Sequence, residues 1–212
     1  MTLTIVQGSP EWLAIRCGKV TASRVSDVVA ETKSGWGASR ANYMAELIAE
    51  RLTGVPAERY RNAIMDRGTE LEPEARSAYC FHANVDVREV GFIYHPTIHQ
   101  SGCSPDGCIG DDGLVEIKCP NTANAIDTLL GEPIKKSYLF QIQWQMTCTG
   151  RKWCDFVSYD PRLPGSMCLF VRRVQRDNTI IADLEKKVVE FLAEIDAKVA
   201  ELTKRYGIKA AA

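Results

Sequence analysis

The chain has 212 residues, 45% of them hydrophobic and 25% charged, enough to bury one sizeable core or at most two small ones. No run of ~18 apolar residues occurs, and the opening MTLTIVQGSPEW lacks a basic segment followed by an apolar run of about 7–15 residues. A formal net charge of −1 and a pI near 6.3 exclude a global attraction to nucleic acid or anionic lipid, so any such contact has to be local.

The expectation is therefore one domain over 1–212, neither exported nor membrane-inserted, working in the cytoplasm. Ser9 and Pro10 read as an N-cap followed by proline at the first helical position, opening a short helix that Gly18 ends. Thr21 or Ser23 caps a second helix running to about Val29. The polar loop ETKSGWGASR carries turn residues and an isolated Trp36. From Ala41 to Leu52 the side chains Tyr43, Met44, Leu47, Ile48 and Leu52 recur at helical spacing, and Gly54 closes that helix. Another helix is expected over about 69–82, where Pro73 is tolerable only in the first turn; a first-turn carboxylate at Glu72 is favourable there.

The period then changes. VREVGFIYH and LVEIKC read as strands, and Gly110-Asp111-Asp112-Gly113 is the turn that makes a hairpin. Residues 135–148 return to helix, CDFVSYD and MCLFVRRV read as strands, and 181–206 is a long helix. Its stripe of Ile181, Leu184, Val188, Phe191, Ile195, Val199, Leu202 and Tyr206 suits a core more than an oligomer seam. The implied fold is α/β, a mixed central β-sheet flanked by helices. N-terminal helices occupy 9–52, a core about 66–175 and a C-terminal helix about 181–206, with no internal repeat.

Eight cysteines, at 17, 80, 103, 108, 119, 148, 154 and 168, contain no C-x-x-C pair, and His82, His95 and His99 complete no zinc pattern. They read as small buried hydrophobes. Local basic candidates for a nucleic-acid contact are Lys33 and Arg40 near the start and Arg151, Lys152, Arg162, Arg172, Arg173 and Arg176 in the last third.

Chemistry concentrates in SGCSPDGCIGDDGLVEIKCP, residues 101–120. Side chains alternate across a strand, so Glu116 and Lys118 share one face while Val115, Ile117 and Cys119 share the other. Asp106 precedes the hairpin, whose turn returns Glu116 towards it. Two carboxylates held together repel unless a cation lies between them, and oxygen donors suit Mg²⁺ or Mn²⁺. With Lys118 beside them to act on a water or offset charge on a phosphate, metal-assisted phosphodiester hydrolysis is one reading; a salt-bridged hairpin with a solvated acidic turn is the other. Helix 135–148 places Tyr138, Gln141 and Gln145 on one face, with Leu139, Ile142 and Met146 packing inward.

Six segments, in one order along nearly the whole chain, resemble the lambda exonuclease family, the YqaJ-type viral recombinases of the PD-(D/E)xK nuclease superfamily. They are VTAS preceded by Trp12 and Arg16, GTELE with Glu72, CSPDG with Asp106, EIKCP with Glu116 and Lys118, YLFQIQ with Tyr138 and Gln141, and YDPR at 159–162. The resemblance implies a restriction-endonuclease-like PD-(D/E)xK core and a 5′→3′ exonuclease. Such an enzyme degrades one strand of linear double-stranded DNA from 5′-phosphorylated ends and leaves 3′ single-stranded tails for recombination. It implies that Asp106, Glu116 and the Ile117 carbonyl hold Mg²⁺, with Glu72 reaching a second ion and Mn²⁺ as a substitute. Lys118 and Gln141 correspond to the residues handling the nucleophilic water. Arg16, Ser23 and Ser104 correspond to the pocket for the terminal 5′-phosphate. The family's DNA-contacting basic position falls on Lys33, its apolar wedge on Met65, and Tyr138 lies with the DNA-contacting groups. A homotrimeric ring around DNA and a single-strand annealing recombinase as partner follow from the resemblance alone. An endonuclease or resolvase on the same fold, and a DNA-binding module without activity, are the alternatives; the Arg16–Ser23–Ser104 set discriminates against an internal cutter.

Overall fold

A computed structural model describes residues 5–33, 35–58 and 62–207 of the chain. Ser9 acts as its place before Pro10 predicts: its hydroxyl accepts from the Trp12 N–H, and α1 runs Pro10–Arg16. The expected helix to Val29 is broken into strand β1 (Val20–Thr21), a 3-10 turn (Ala22–Arg24) and the one-turn α2 (Val25–Val28). Thr21 precedes the 3-10 turn without a side-chain capping bond. The polar loop folds into a small hairpin of β2 (Glu31–Thr32) and β3 (Gly35–Trp36). Helix α3 (Ala38–Thr53) then ends on Gly54 at φ 70°, a left-handed cap that favours glycine.

Helix α4 (Ala63–Ala83) starts well before residue 69, because Asn62 caps it by accepting from the Ile64 and Met65 N–H groups. Pro73 therefore lies in the helix interior and Glu72 at mid-helix, not in a first turn. An interior proline costs roughly 3 kcal/mol in an isolated helix. Here Ala75 and Tyr79, both fully buried, seat α4 on the sheet and offset that cost.

VREVGFIYH divides into β4 (Val87–Arg88) and β5 (Ile93–Tyr94), which join different sheets. The division falls at Gly91, where a Cβ would stand 2.5 Å from the Ile5 carbonyl oxygen. Next come β6 (Ser101–Cys103), β7 (Gly107–Ile109), β8 (Gly113–Lys118), the unforeseen α5 (Thr122–Leu129), α6 (Lys136–Thr149), β9 (Trp153–Tyr159), β10 (Leu169–Gln175) and α7 (Asn178–Tyr206). A three-stranded sheet has the order β1-β6-β5, and the central sheet the order β10-β9-β8-β7-β4. Only β8 and β9 run parallel in the latter, so it is the mixed sheet expected, flanked by helices.

The alternation along β8 decides what covers each face. Val115 and Ile117 pack with Ala75 and Tyr79 of α4, while Leu114 packs with Ile142 and Met146 of α6. A third cluster joins α2, α3 and α6 to Ile181, Leu184, Val188, Phe191 and Ile195 of α7. The long stripe is thus core over most of its length, though Tyr206 at its end is exposed. Among the described residues no helix is long and apolar enough to cross a membrane.

Candidate active site

The β7–β8 hairpin folds β8 back beside the residue that precedes β7. Asp106 Oδ2 accepts from the Ile117 N–H at 2.6 Å, and the adjacent Glu116 is wholly buried at 0% exposure. Glu116 Oε1 receives Lys118 Nζ at 2.5 Å and Gln141 Nε2 at 2.6 Å, while Oε2 receives Gln145 Nε2 at 2.6 Å. The face that alternation gives to Glu116 and Lys118 is covered: α6 closes over it. The amides of Gln141 and Gln145 point inward together with Ile142 and Met146, because the buried carboxylate needs donors more than the helix needs a further apolar contact. The sequence reading set Gln145 on a face apart from the inward-packing Ile142 and Met146 and gave it no task; the structure buries it with them, on Glu116. The Gln145 Oε1 is buried with no hydrogen-bond partner among the described residues.

Burial, then repulsion from Glu116 and Glu72, pushes Asp106 well above the usual carboxylate range, against the pull of Lys118 and the Ile117 N–H. Burial opposes the charge on Lys118, but Glu116 and Asp106 outweigh it and raise its pKa well above that of a free lysine. Lys118 is accordingly an ammonium at neutral pH, a donor and countercharge in this state. On α4, Glu72 is raised by burial and by Glu116 while Arg76 pulls it down; Arg76 bonds Glu72 at 2.5 Å and Glu89 at 2.9 Å. Glu72 thus belongs electrostatically to the same site, though its oxygen is engaged by Arg76.

Asp106 Oδ1 has no hydrogen-bond donor among the described residues. Among those residues no three His, Cys, Asp or Glu side chains converge closely enough to hold an ion by themselves. The donor set is nonetheless that of a hard cation: Mg²⁺ is commonly held by one or two carboxylates and completes its shell with waters and substrate phosphate oxygens. Two carboxylates whose burial and mutual repulsion one lysine only partly offsets suit such an ion. All eight cysteines are free thiols, buried or half-buried and outside this donor set.

A second cluster stands on the other side of Asp106 in the chain. Ser104 Oγ accepts from Trp12 Nε1 at 2.9 Å and from Arg16 at 3.4 Å, and the Arg16 guanidinium lies 3.8 Å over the Trp12 ring. Trp12 holds this arginine in place, a part that the motif VTAS and its flanks did not specify. Ser23 is exposed and its hydroxyl is 3.4 Å from that of Thr21. Tyr138, half-buried, stacks on Phe156 with centroids 5.9 Å apart and lies 5.1 Å from Lys118 Nζ. Lys33 is exposed in the β2–β3 turn. Met65 is 51% exposed in the first turn of α4 and so not part of a core.

Several arginines of the last third have other tasks. Arg151 is buried and donates to the carbonyls of Ile109, Gly110 and Gly113, locking the hairpin turn. Arg173 is paired with Asp155 and lies over Trp153.

Residues 11–152, which include every side chain of both clusters, match the model of the YqaJ-like viral recombinase domain. The chain belongs to the YqaJ-like viral recombinase family. The alkaline exonuclease LHK-Exo from Laribacter hongkongensis is 53% identical, with 94% of this chain and 98% of that chain covered and a TM-score of 0.88. The same values hold for LHK-Exo in complex with dAMP. A phage-related exonuclease from Haemophilus somnus 129PT, 17% identical over 87% of this chain and 96% of its own, shares the fold at a TM-score of 0.69. The protein ExoD of Escherichia coli (strain K12) is 31% identical over 71 residues, 34% of this chain and 80% of that protein. The sheet and its flanking helices are those of the nuclease fold of the family's exonucleases.

Proposed function

We propose that this YqaJ-like chain is a metal-dependent DNA exonuclease that works 5′→3′ on one strand of linear duplex DNA from a 5′-phosphorylated end, leaving 3′ single-stranded tails. The observation that carries the reading is the pair Asp106 and Glu116 on adjoining residues of one hairpin, with Lys118, Gln141 and Gln145 all directed at Glu116. In this reading Asp106, Glu116 and the Ile117 carbonyl hold a Mg²⁺ ion, for which Mn²⁺ substitutes, and Glu72 reaches a second. When bound, the metal supplies Lewis acidity and lowers the pKa of water. Lys118 stabilises negative charge on the phosphate, Gln141 orients the water, and burial beneath α6 keeps bulk solvent from Glu116. Arg16, Ser104 and Ser23 take the terminal phosphate, with Trp12 fixing the arginine fork. Lys33, Met65 and Tyr138 contact the duplex and its opening end. A homotrimeric ring, a single-strand annealing partner and a place in the cytoplasm of a bacterial host complete the proposal.

The test is digestion of end-labelled linear duplex carrying 5′-phosphate or 5′-hydroxyl ends, beside covalently closed circles and the Asp106→Ala variant. Loss of 5′ label from phosphorylated ends alone, stopped by EDTA and by the substitution with circles intact, is the expected result. Cut circles would point to an endonuclease instead, and DNA binding without cleavage in Mg²⁺ or Mn²⁺ to a module that only binds.

A further inference from the structure

We infer that a cleft beside Lys118 is a subsite for the base and sugar of the nucleotide immediately 3′ to the bond being cut; this rests on the exonuclease reading above. The cleft, of about 350 Å³, is lined from β8, β9, α5 and the start of α6. It shares Lys118 and Tyr138 with the active site and no residue with the Arg16–Ser104 cluster. A strand whose terminal phosphate is held at Arg16 and Ser104 brings its first internucleotide phosphate to Asp106 and Glu116. The next nucleoside then lies past those carboxylates, beside Lys118, where the cleft begins.

The lining says which part of a nucleotide fits. Tyr138, half-buried and backed by the buried Phe156 at an interplanar angle of 27°, and Pro120 give flat apolar surface, which accepts any base because every base has a π-face. The charges in the lining, Asp127 and Glu132 against Lys118 and Lys135, cancel, so the cleft offers a phosphate no net attraction and the uncharged base and sugar are the parts that enter. Holding that nucleoside keeps the scissile phosphate in register with the carboxylates, where small misplacement is costly to rate.

Single-turnover release of the first nucleotide tests the assignment, using 5′-phosphorylated duplexes of one sequence with a natural base or an abasic site at position 2 or position 3. The abasic site at position 2 should slow release about tenfold, the scale of one lost base–aromatic stack, whereas position 3 should matter little. Thr128→Trp fills the cleft from α5; the Thr128 hydroxyl bonds only its own helix, at Asn124 O. That variant should be slower on the natural duplex and indifferent to the base at position 2. Equal rates for the natural and position-2 abasic duplexes, or equal sensitivity at positions 2 and 3, would overturn the subsite while leaving the exonuclease intact. No release from any phosphorylated end would instead refute the exonuclease reading. The wild-type comparison decides even where Thr128→Trp fails to fold.

Discussion

Replacing Gln145 by leucine separates positioning from packing at the carboxylate site. Two terms of opposite sign act on stability. Losing the charge-assisted bond to Glu116 costs about 1.5–3 kcal/mol. Removing Oε1, which is buried without a partner, relieves a desolvation penalty of about 1–3 kcal/mol. The side chains are close in volume, so the two terms nearly cancel at mid-range and the net loss should not exceed about 2 kcal/mol, less than roughly 8 °C in Tm for a chain of this size. Function has no such offset. Glu116 loses the donor on Oε2, and removing an outer partner of a metal-ligating group costs about 10–100-fold in metal affinity or activity. The assay pairs the Mg²⁺ concentration for half-maximal hydrolysis with the melting temperature measured with and without Mg²⁺. A raised metal requirement, and a smaller metal-induced rise in Tm on an almost unchanged apo Tm, is expected. A fall in apo Tm of about 8 °C or more with an unaltered metal requirement would show that Gln145 only packs, and the reasoning would fail.

Asp106→Ala should lower hydrolysis by at least about a thousandfold, since a lost metal ligand removes several kcal/mol of transition-state stabilisation; DNA binding, read by filter retention, should persist. Arg16→Ala should reduce kcat/KM on 5′-phosphorylated ends by about 10–100-fold, the worth of a charged hydrogen bond, and leave 5′-hydroxyl ends unchanged; equal losses on both would remove Arg16 from the phosphate pocket. Lys33→Ala should reduce the slope of log affinity against log salt by about one, and an unaltered slope would take Lys33 off the DNA. Hydrogen bonds from Arg162, against a smaller opposing effect of burial, hold Asp160 down at about 2, below an unfolded value of about 3.9. Its stabilisation, about 3 kcal/mol, is therefore complete above the unfolded pKa and lost as pH falls through the folded one. The difference in unfolding free energy between wild type and Asp160→Asn should shrink from pH 5 to pH 2, as measured by urea titration; a constant difference would contradict the sign.

Local signals and long-range ones were unequally legible. Alternation in LVEIKC correctly divided β8 into Glu116 and Lys118 on one face and Val115 and Ile117 on the other, because the period of a strand is a property of the backbone. What covers each face is not. The burial of Glu116 under α6 depends on a helix about twenty residues downstream, and a glutamine that donates to a buried carboxylate has the same spacing as one in water. Pro73 misled the reading of α4 because helix preference is local, whereas the seat of Ala75 and Tyr79 on the sheet is tertiary. At the split of VREVGFIYH the Ile5 carbonyl lies close over Gly91, a contact between distant residues that no pattern encodes. Motif order singled out Asp106, Glu116 and Lys118 and the Arg16–Ser104 pair that the structure brings into contact, whereas the contacts of Trp12 and Gln145 came only from geometry.

Charge explains why recognition has to be so localised. Most guanidinium groups with a described partner face carboxylates: Arg24 pairs with Glu46, Arg40 with Glu194, Arg162 with Asp160 and Arg173 with Asp155. Such pairs leave little field at a distance, in keeping with a net charge of −1, so long-range steering of a polyanion is weak. The contacts that matter are then short-ranged: Arg16 stacked on Trp12 and directed at Ser104, Lys118 beside Glu116, and Lys33 exposed in the β2–β3 turn. A phosphate gains from these groups only on reaching them, which suits an enzyme that distinguishes a strand end from the continuous backbone beside it. Weak contact elsewhere also has a kinetic merit. Each further neutralised phosphate would release counterions and tighten the complex, and an exonuclease has to let go of every phosphate it passes.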